Sequence, residues 1–147
     1  MLAPVSLLLL VRHGGVSTQT ISPQTLPCHA RYDDAEMPEQ VLHDLAAFDR
    51  ALQQHPRVLL FKHSPVCPIS SAAREQYEQW RAELPDAVAL FVDVIADRPT
   101  ARAIAQRCRV THESPQAILF EQGRAVWHAS HDAITAGALH AAWAPRC

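Results

Sequence analysis

Cysteine is scarce in this 147-residue sequence, which contains only Cys28, Cys67, Cys108 and Cys147. Four cysteines are too few for the disulfide framework of a small secreted scaffold, and their spacings match no zinc-binding motif. In a reducing compartment, a cysteine is more often chemically active or simply buried than cross-linked. The cysteine content therefore predicts a cytoplasmic protein without structural disulfides.

A strong excess of one charge is also missing, since 13 basic and 15 acidic residues give a net charge of −2. This balance predicts neither nucleic acid nor an anionic membrane as a partner. The apolar run LLLLV near the N-terminus is far too short to span a bilayer. No basic residue precedes it and no small-x-small cleavage site follows, so we predict no signal peptide.

The first 36 residues differ from the rest, because they are rich in Ser, Thr, Gln and Pro after the apolar run and show no sustained period. We expect residues 1–36 to form a flexible or loosely attached segment. Residues 37–147, beginning at Met37, would then form a single domain of about 110 residues, near the commonest domain size. The whole chain contains 48% hydrophobic and 19% charged residues, a composition that is typical of a soluble globular protein.

Apolar residues recur from Pro38 onward with helical or strand periods. In chain order they predict a helix over 38–54, a strand over 57–63, a helix over 68–84, a strand over 87–95, a helix over 98–108, a hairpin over 116–130 turning at Gln122-Gly123, and a helix over 132–143. Two strands joined by a helix favour a parallel pair, and the hairpin adds antiparallel strands. We predict an α/β thioredoxin-like fold: a mixed four-stranded sheet with flanking helices and an extra N-terminal helix.

The stretch SPVCPIS, residues 64–70, places Cys67 where the first strand ends and the long helix begins. Free N–H groups and the helix dipole favour negative charge there, and so favour a nucleophilic thiolate. Pro68 suits the first helical position. Ser70 stands where a Cys-x-x-Cys motif has its second cysteine, and it can offer a hydroxyl to the sulfur but no disulfide. Cys67 therefore suits exchange with one thiol at a time; the alternative is an inert buried cysteine.

Ser114-Pro115 directly precedes the hairpin. In a thioredoxin-like fold a proline at this place is cis and packs beside the active sulfur. It leaves the backbone of Ser114 free to pair with a bound peptide or thiol, as an edge strand does. The alternative interpretation is that Pro115 only marks the start of a strand, as prolines commonly do.

Four spaced motifs, FKHS with CPIS, DVI with RP, HESPQAILF and VWHASH, closely resemble the YtxJ-like monothiol bacilliredoxins of the thioredoxin superfamily. The resemblance runs from about Val58 to Ile134. It implies reduction of mixed disulfides between proteins and bacillithiol, a cysteine–glucosamine–malate thiol, with Cys67 as nucleophile and Pro115 as the cis-proline. Bacillithiol would be the thiol co-substrate, bacillithiolated proteins the partners and a second redoxin or reductase the regenerating system. No tightly bound cofactor and no metal are expected.

Polar residues flank both motifs. Lys62 and His63 end the first strand, and alternation places their side chains on opposite faces of the sheet. We assign Lys62 to charge steering at the site and His63 to local packing. His112, in the loop before the proline, either lines the substrate groove or is a solvated loop residue.

Two other features leave alternatives open. Arg98 either meets the malate carboxylates, since Arg pairs with carboxylates bidentately, or forms a salt bridge with Asp93 or Asp97. His128 and His131 have ligand-like spacing but no third ligand, so no metal site is predicted.

Two further functions compete with thiol–disulfide exchange. A monothiol thioredoxin-like protein can share an iron–sulfur cluster across a dimer, although no Gly-rich loop is positioned for that role here. A redox sensor, in which modification of Cys67 changes the affinity for a partner, is the other alternative. Colour after anaerobic purification would identify the cluster-binding module, and turnover of a bacillithiolated substrate distinguishes the sensor from an enzyme.

Overall fold

The computed structural model describes residues 39–145 of the chain. The expected flexible segment over 1–36, together with Cys28 and Cys147, lies outside the described residues, so its boundary at Met37 stays a prediction. The described helices and strands, in chain order, are β1 (Gln40–Val41), α1 (Leu45–Gln54), β2 (Arg57–His63), α2 (Pro68–Glu83), β3 (Ala89–Asp93), α3 (Arg98–Cys108), β4 (Gln116–Glu121), β5 (Arg124–Ser130), a 3₁₀ turn (His131–Ala133) and α4 (Ala136–Trp143).

The strands form one mixed sheet in the order β1-β3-β2-β4-β5. β2 pairs in parallel with β3 and antiparallel with β4, which pairs antiparallel with β5. This confirms the predicted mixed α/β sheet with a helix between its parallel strands. The predicted count of four strands is wrong by one, because the two-residue strand β1 adds to the free edge of β3.

The first helix begins later than predicted. Asp44 is its N-cap residue, and the Asp44 carboxylate accepts a hydrogen bond from the Ala47 N–H at 2.6 Å. Residues 40–41 pair with β3 instead of continuing the helix, and Val41, expected on the apolar helical face, is exposed. Sheet pairing and a strong cap therefore outweigh the helical spacing of this segment.

Two hydrophobic clusters lie on opposite faces of the sheet, as the alternation in β2 requires. Val58 and Leu60 point to the cluster covered by α1 and α3. Leu59 and Phe61 point to the cluster covered by α2 and α4, where the ring of Phe61 stacks on Tyr77 at 4.5 Å. Within residues 39–145, no helix is both long enough and apolar enough to cross a membrane.

Local signals set the turn of the hairpin and the start of the last helix. Gln122 and Gly123 both have positive φ, 50° and 74°, as a two-residue hairpin turn requires, and this confirms the predicted turn. The last helix starts at Ala136, four residues later than predicted. Thr135 caps it, because the Thr135 hydroxyl accepts a hydrogen bond from the Ala138 N–H at 3.1 Å.

Candidate active site

Cys67 lies at the junction between β2 and α2. It is the N-cap residue of α2, Pro68 is the first helical residue, and the Cys67 side chain makes no capping hydrogen bond. The Cys67 N–H donates to the Ser64 carbonyl at 3.2 Å, which folds the short loop under the thiol. The half-buried sulfur therefore sits at the positive end of a 16-residue helix, as predicted.

The Ser70 side chain connects the start of α2 to the end of β2 through hydrogen bonds. It is fully buried, and its Oγ accepts a hydrogen bond from the Ser64 N–H at 2.8 Å and lies 2.9 Å from His63 Nδ1. The hydroxyl that was expected to face the sulfur is thus engaged with the end of β2. Ser70 shapes the loop that carries Cys67, and its burial removes it from direct contact with a substrate.

Lys62 and His63 lie on opposite faces of the sheet, and Lys62 does not have the steering role expected for it. His63 points toward α2, where its ring contacts Ser70 and lies 5.8 Å from the ring of Phe91. Burial, followed by the charge of Arg74, lowers the pKa of His63 below its ordinary value, so the imidazole stays neutral. Lys62 points to the opposite face and is fully buried, so it does not steer charge at the open side of Cys67.

Lys62 instead anchors the loop that precedes the proline. Its Nζ donates to Gln116 Oε1 at 2.7 Å and lies 2.7 Å from His112 Nδ1. Gln116 Nε2 in turn donates to the Thr111 carbonyl at 2.9 Å. Burial lowers the pKa of Lys62 to about 8, while Cys108 and Glu113 oppose the shift. The buried ammonium therefore links β2 to both ends of residues 111–116.

This pKa makes stability depend on pH in a defined direction. Above the folded-state pKa of about 8 and below the ordinary value of 10.5, the unfolded chain keeps a proton on Lys62 that the folded protein has lost. Stability from this group therefore rises with pH across that window. We expect the difference in unfolding free energy between wild type and Lys62→Met to rise by about 2 kcal/mol from about pH 7.5 to about pH 10.

Urea denaturation of both proteins across this pH range measures that difference. Cys108, whose pKa burial raises to about 11, and Tyr77, whose pKa burial also raises, titrate in both proteins, so their contributions largely cancel. A difference that stays flat with pH would show that Lys62 keeps an ordinary pKa in the folded protein.

The Ser114–Pro115 peptide bond is cis, as the resemblance implied, and Pro115 is buried. Sheet register places this loop beside Cys67: Lys62 at the end of β2 is opposite Gln116 at the start of β4. The Ser114 hydroxyl is buried without a hydrogen-bond partner among the described residues. The backbone groups of Ser114 also lack partners within residues 39–145, so they remain available to a bound peptide or thiol.

An apolar rim at the edge of the sheet that carries Cys67 was missed in the sequence. Val66, Ile69 and Ile95 are 77%, 53% and 47% exposed, respectively. Ile69 fits the apolar spacing of α2, but it is exposed in the first turn of that helix. An apolar side chain beside a reactive cysteine is the signal that would have identified this surface.

Arg98 makes neither of the expected salt bridges. Asp97 pairs with His43 at 3.1 Å, and the Asp93 carboxylate accepts a hydrogen bond from the Ile95 N–H at 2.7 Å. The Arg98 side chain is exposed at the first position of α3, near the ends of the parallel strands. His112 is also exposed, and its ring nitrogen Nδ1 lies 2.7 Å from Lys62 Nζ.

No group of three or more His, Cys, Asp or Glu side chains within residues 39–145 is arranged to hold a metal ion. His128 is exposed on β5, and His131 begins the following 3₁₀ turn. Cys108 is half-buried against the core. Burial raises the pKa of Cys108 to about 11, so it is a neutral thiol at physiological pH, unlike a reactive cysteine.

A family model and several solved structures match this chain. The family model for the monothiol bacilliredoxin BrxC matches residues 40–139. A solved structure described as a candidate oxidoreductase with a thioredoxin fold is 32% identical, with a TM-score of 0.67, and the match covers 71% of this chain and 92% of that chain.

More distant structures share the fold alone. Mitochondrial thioredoxin 3 of Saccharomyces cerevisiae, in its oxidised form, is 18% identical with a TM-score of 0.58, over 71% of this chain and 92% of that chain. Trxlp of Edwardsiella tarda EIB202 is 21% identical with a TM-score of 0.57, over 73% of this chain and 100% of that chain. Since the family model spans most of the described domain and includes the single-thiol helix start, the chain belongs to the monothiol bacilliredoxin family of thioredoxin-fold, thiol–disulfide redox proteins.

Proposed function

We propose that this protein is a cytoplasmic thiol–disulfide oxidoreductase that removes bacillithiol from proteins. The observation that carries the proposal is the single cysteine at the start of α2, with Ser70 in place of a second cysteine and the cis-proline loop beside it. A lone thiol at such a place can accept one small thiol, but the neighbouring position cannot expel it.

The reaction proceeds in two exchanges. The Cys67 thiolate attacks the bacillithiol sulfur of a protein–bacillithiol mixed disulfide; that disulfide breaks, and the protein sulfur leaves as a thiolate and takes a proton. Cys67 now carries bacillithiol in a new disulfide. A second thiol, from bacillithiol or a partner redoxin, attacks the bacillithiol sulfur and supplies the two electrons. It leaves as a disulfide with bacillithiol, and Cys67 is restored.

The surroundings of Cys67 support each step. The helix start favours both the attacking and the leaving Cys67 thiolate. The exposed rim of Val66, Ile69 and Ile95 offers an apolar surface for a protein partner. The backbone of Ser114 is placed to pair with an extended segment beside the mixed disulfide.

A single-turnover experiment tests the proposal. The reduced protein is mixed with an equal amount of a protein carrying one bacillithiol, and both are measured by intact mass spectrometry under non-reducing conditions. We expect the bacillithiol mass to move from the substrate to this protein, on the peptide that contains Cys67. If the substrate keeps its bacillithiol while the same sample of this protein reacts with a generic disulfide reagent, the proposed function is wrong.

A further inference from the structure

Three arginines beside the cis-proline loop have no acidic partner. Arg98 and Arg102 lie one turn apart on α3, and Arg109 follows the last residue of that helix. All three are exposed, and none forms an ion pair with a carboxylate among residues 39–145. Arg107, on the same helix, does pair with Asp49. The unpaired arginines thus gather on one side of α3.

Two of these arginines line a cleft. Arg102 and Arg109 border it together with Gln106 and His112, and its volume is about 420 Å³. This volume is within the range of small-molecule sites. Guanidinium groups, an amide and an imidazole are all hydrogen-bond donors for carboxylate oxygens. The cleft therefore has the size and the donors for a small anion.

A buried positive charge lies next to His112, one of the residues that line the cleft. Lys62 is fully buried, and its neighbours at hydrogen-bond distance are the neutral side chains of Gln116 and His112. No carboxylate within residues 39–145 lies at ion-pair distance from the Lys62 ammonium. Burial, and then the charges of Lys62, Arg102 and Arg98, lower the pKa of His112. These cations are thus close enough to act on one imidazole, and the Glu113 carboxylate, which raises the pKa of Lys62, forms no ion pair with any of them. Clustered cations of this kind attract an anionic ligand.

The cleft is connected to the thiol by the loop between them. Residues 109–115 run from Arg109 past His112 to the cis-proline. Arg98 begins α3 just beyond β3, and His63 at the end of β2 is paired with Asp93 at the end of β3. Cys67, the proline loop and the start of α3 therefore meet at one edge of the sheet. A small thiol bound at Cys67 can extend along this loop toward the cleft.

We infer that Arg98, Arg102 and Arg109, with His112, form a subsite that binds the carboxylates of the low-molecular-weight thiol while its sulfur is at Cys67. The inference rests on the proposed function, because the malate group of bacillithiol supplies the two carboxylates. Each guanidinium can hold a carboxylate through two parallel hydrogen bonds. The subsite selects a thiol with two carboxylates over a thiol with none. The substrate protein, which carries the other sulfur of the mixed disulfide, does not contact the subsite.

The test compares two mixed disulfides on the same carrier protein, one with bacillithiol and one with cysteamine, which has no carboxylate. In the variant with both Arg102→Gln and Arg109→Gln, we expect kcat/KM for the bacillithiol disulfide to fall about tenfold, mainly through KM. The value for the cysteamine disulfide should stay within about twofold of wild type. Arg50→Gln is the matched control, because Arg50 is exposed on α1 and does not line the cleft; it should change neither value.

A binding measurement separates this inference from the proposed function. We expect L-malate to shift the backbone amide NMR signals of residues 102–112 in wild type and not in the double variant. Such shifts support the subsite even where no mixed disulfide is turned over, a result that would overturn the proposed function alone. An equal loss of turnover for both disulfides, or malate shifts that persist in the double variant, would overturn the subsite.

Discussion

Replacing the nucleophile should abolish transfer: Cys67→Ser is expected to leave bacillithiol on the substrate protein with no mass gain on this protein. A serine hydroxyl cannot form a disulfide, and Cys67 is the only cysteine within residues 39–145 at a helix start. The other described cysteine, Cys108, is a neutral, half-buried thiol on the opposite side of the sheet. No second group in the described domain is therefore placed to replace the sulfur of Cys67.

The fold should survive this substitution, so lost transfer can be assigned to lost chemistry. The Cys67 side chain makes no hydrogen bond at the helix start, and serine is among the preferred N-cap residues. Thermal unfolding should therefore show a change in stability of no more than about 1 kcal/mol. Cys28→Ser and Cys147→Ser should keep most of the transfer activity. Undiminished transfer by Cys67→Ser would overturn the mechanism.

Ser70→Cys should convert the monothiol site into a dithiol site. Residues 67 and 70 are the N-cap and third residue of α2, one turn apart, where β-carbons lie about 5–6 Å from each other before any adjustment. A small rotation brings two such sulfurs to bonding distance. The new thiol then attacks Cys67 within the molecule, at an effective concentration far above that of free thiols. Bound bacillithiol should be expelled, and an internal disulfide should accumulate.

The wild type should instead accumulate the mixed disulfide when no external thiol is present. Non-reducing mass spectrometry of both proteins after one turnover distinguishes the two products. The substitution should also lower stability by about 1 kcal/mol, because sulfur is a weaker acceptor for the Ser64 N–H than the hydroxyl it replaces. The loss should be visible in the reduced variant.

Ser71→Cys is the matched control for this prediction. Ser71 is the next residue of α2, and it is exposed whereas Ser70 is buried. A thiol there lies about 100° further around the helix, so it should leave the Cys67–bacillithiol bond intact. If Ser70→Cys retains bacillithiol as stably as the wild type, the side chain at position 70 does not reach the sulfur.

The sequence alone determined the positions where local physical chemistry decides. The apolar run of β2 followed by Cys67 and Pro68 predicted a thiol at a helix start, because strand period, proline and helix period are all local signals. Gln122-Gly123 predicted the hairpin turn because a glycine between two apolar runs readily adopts the positive φ that a two-residue turn requires. The cis-proline and the bacilliredoxin family followed from the resemblance, and the structure and the family model confirmed both.

Only the tertiary structure decided to which face of the sheet each side chain points. Alternation showed that Lys62 and His63 point in opposite directions, but only the packing of α2 over Phe61 shows that His63 is the one beneath the thiol. Strand β1 is two residues long, and its pairing with β3 depends on the partner strand and not on its own sequence. The arginine cleft joins α3 to the loop after it, so its unpaired charges become apparent only once the fold has paired Arg107, and not these arginines, with a carboxylate among residues 39–145.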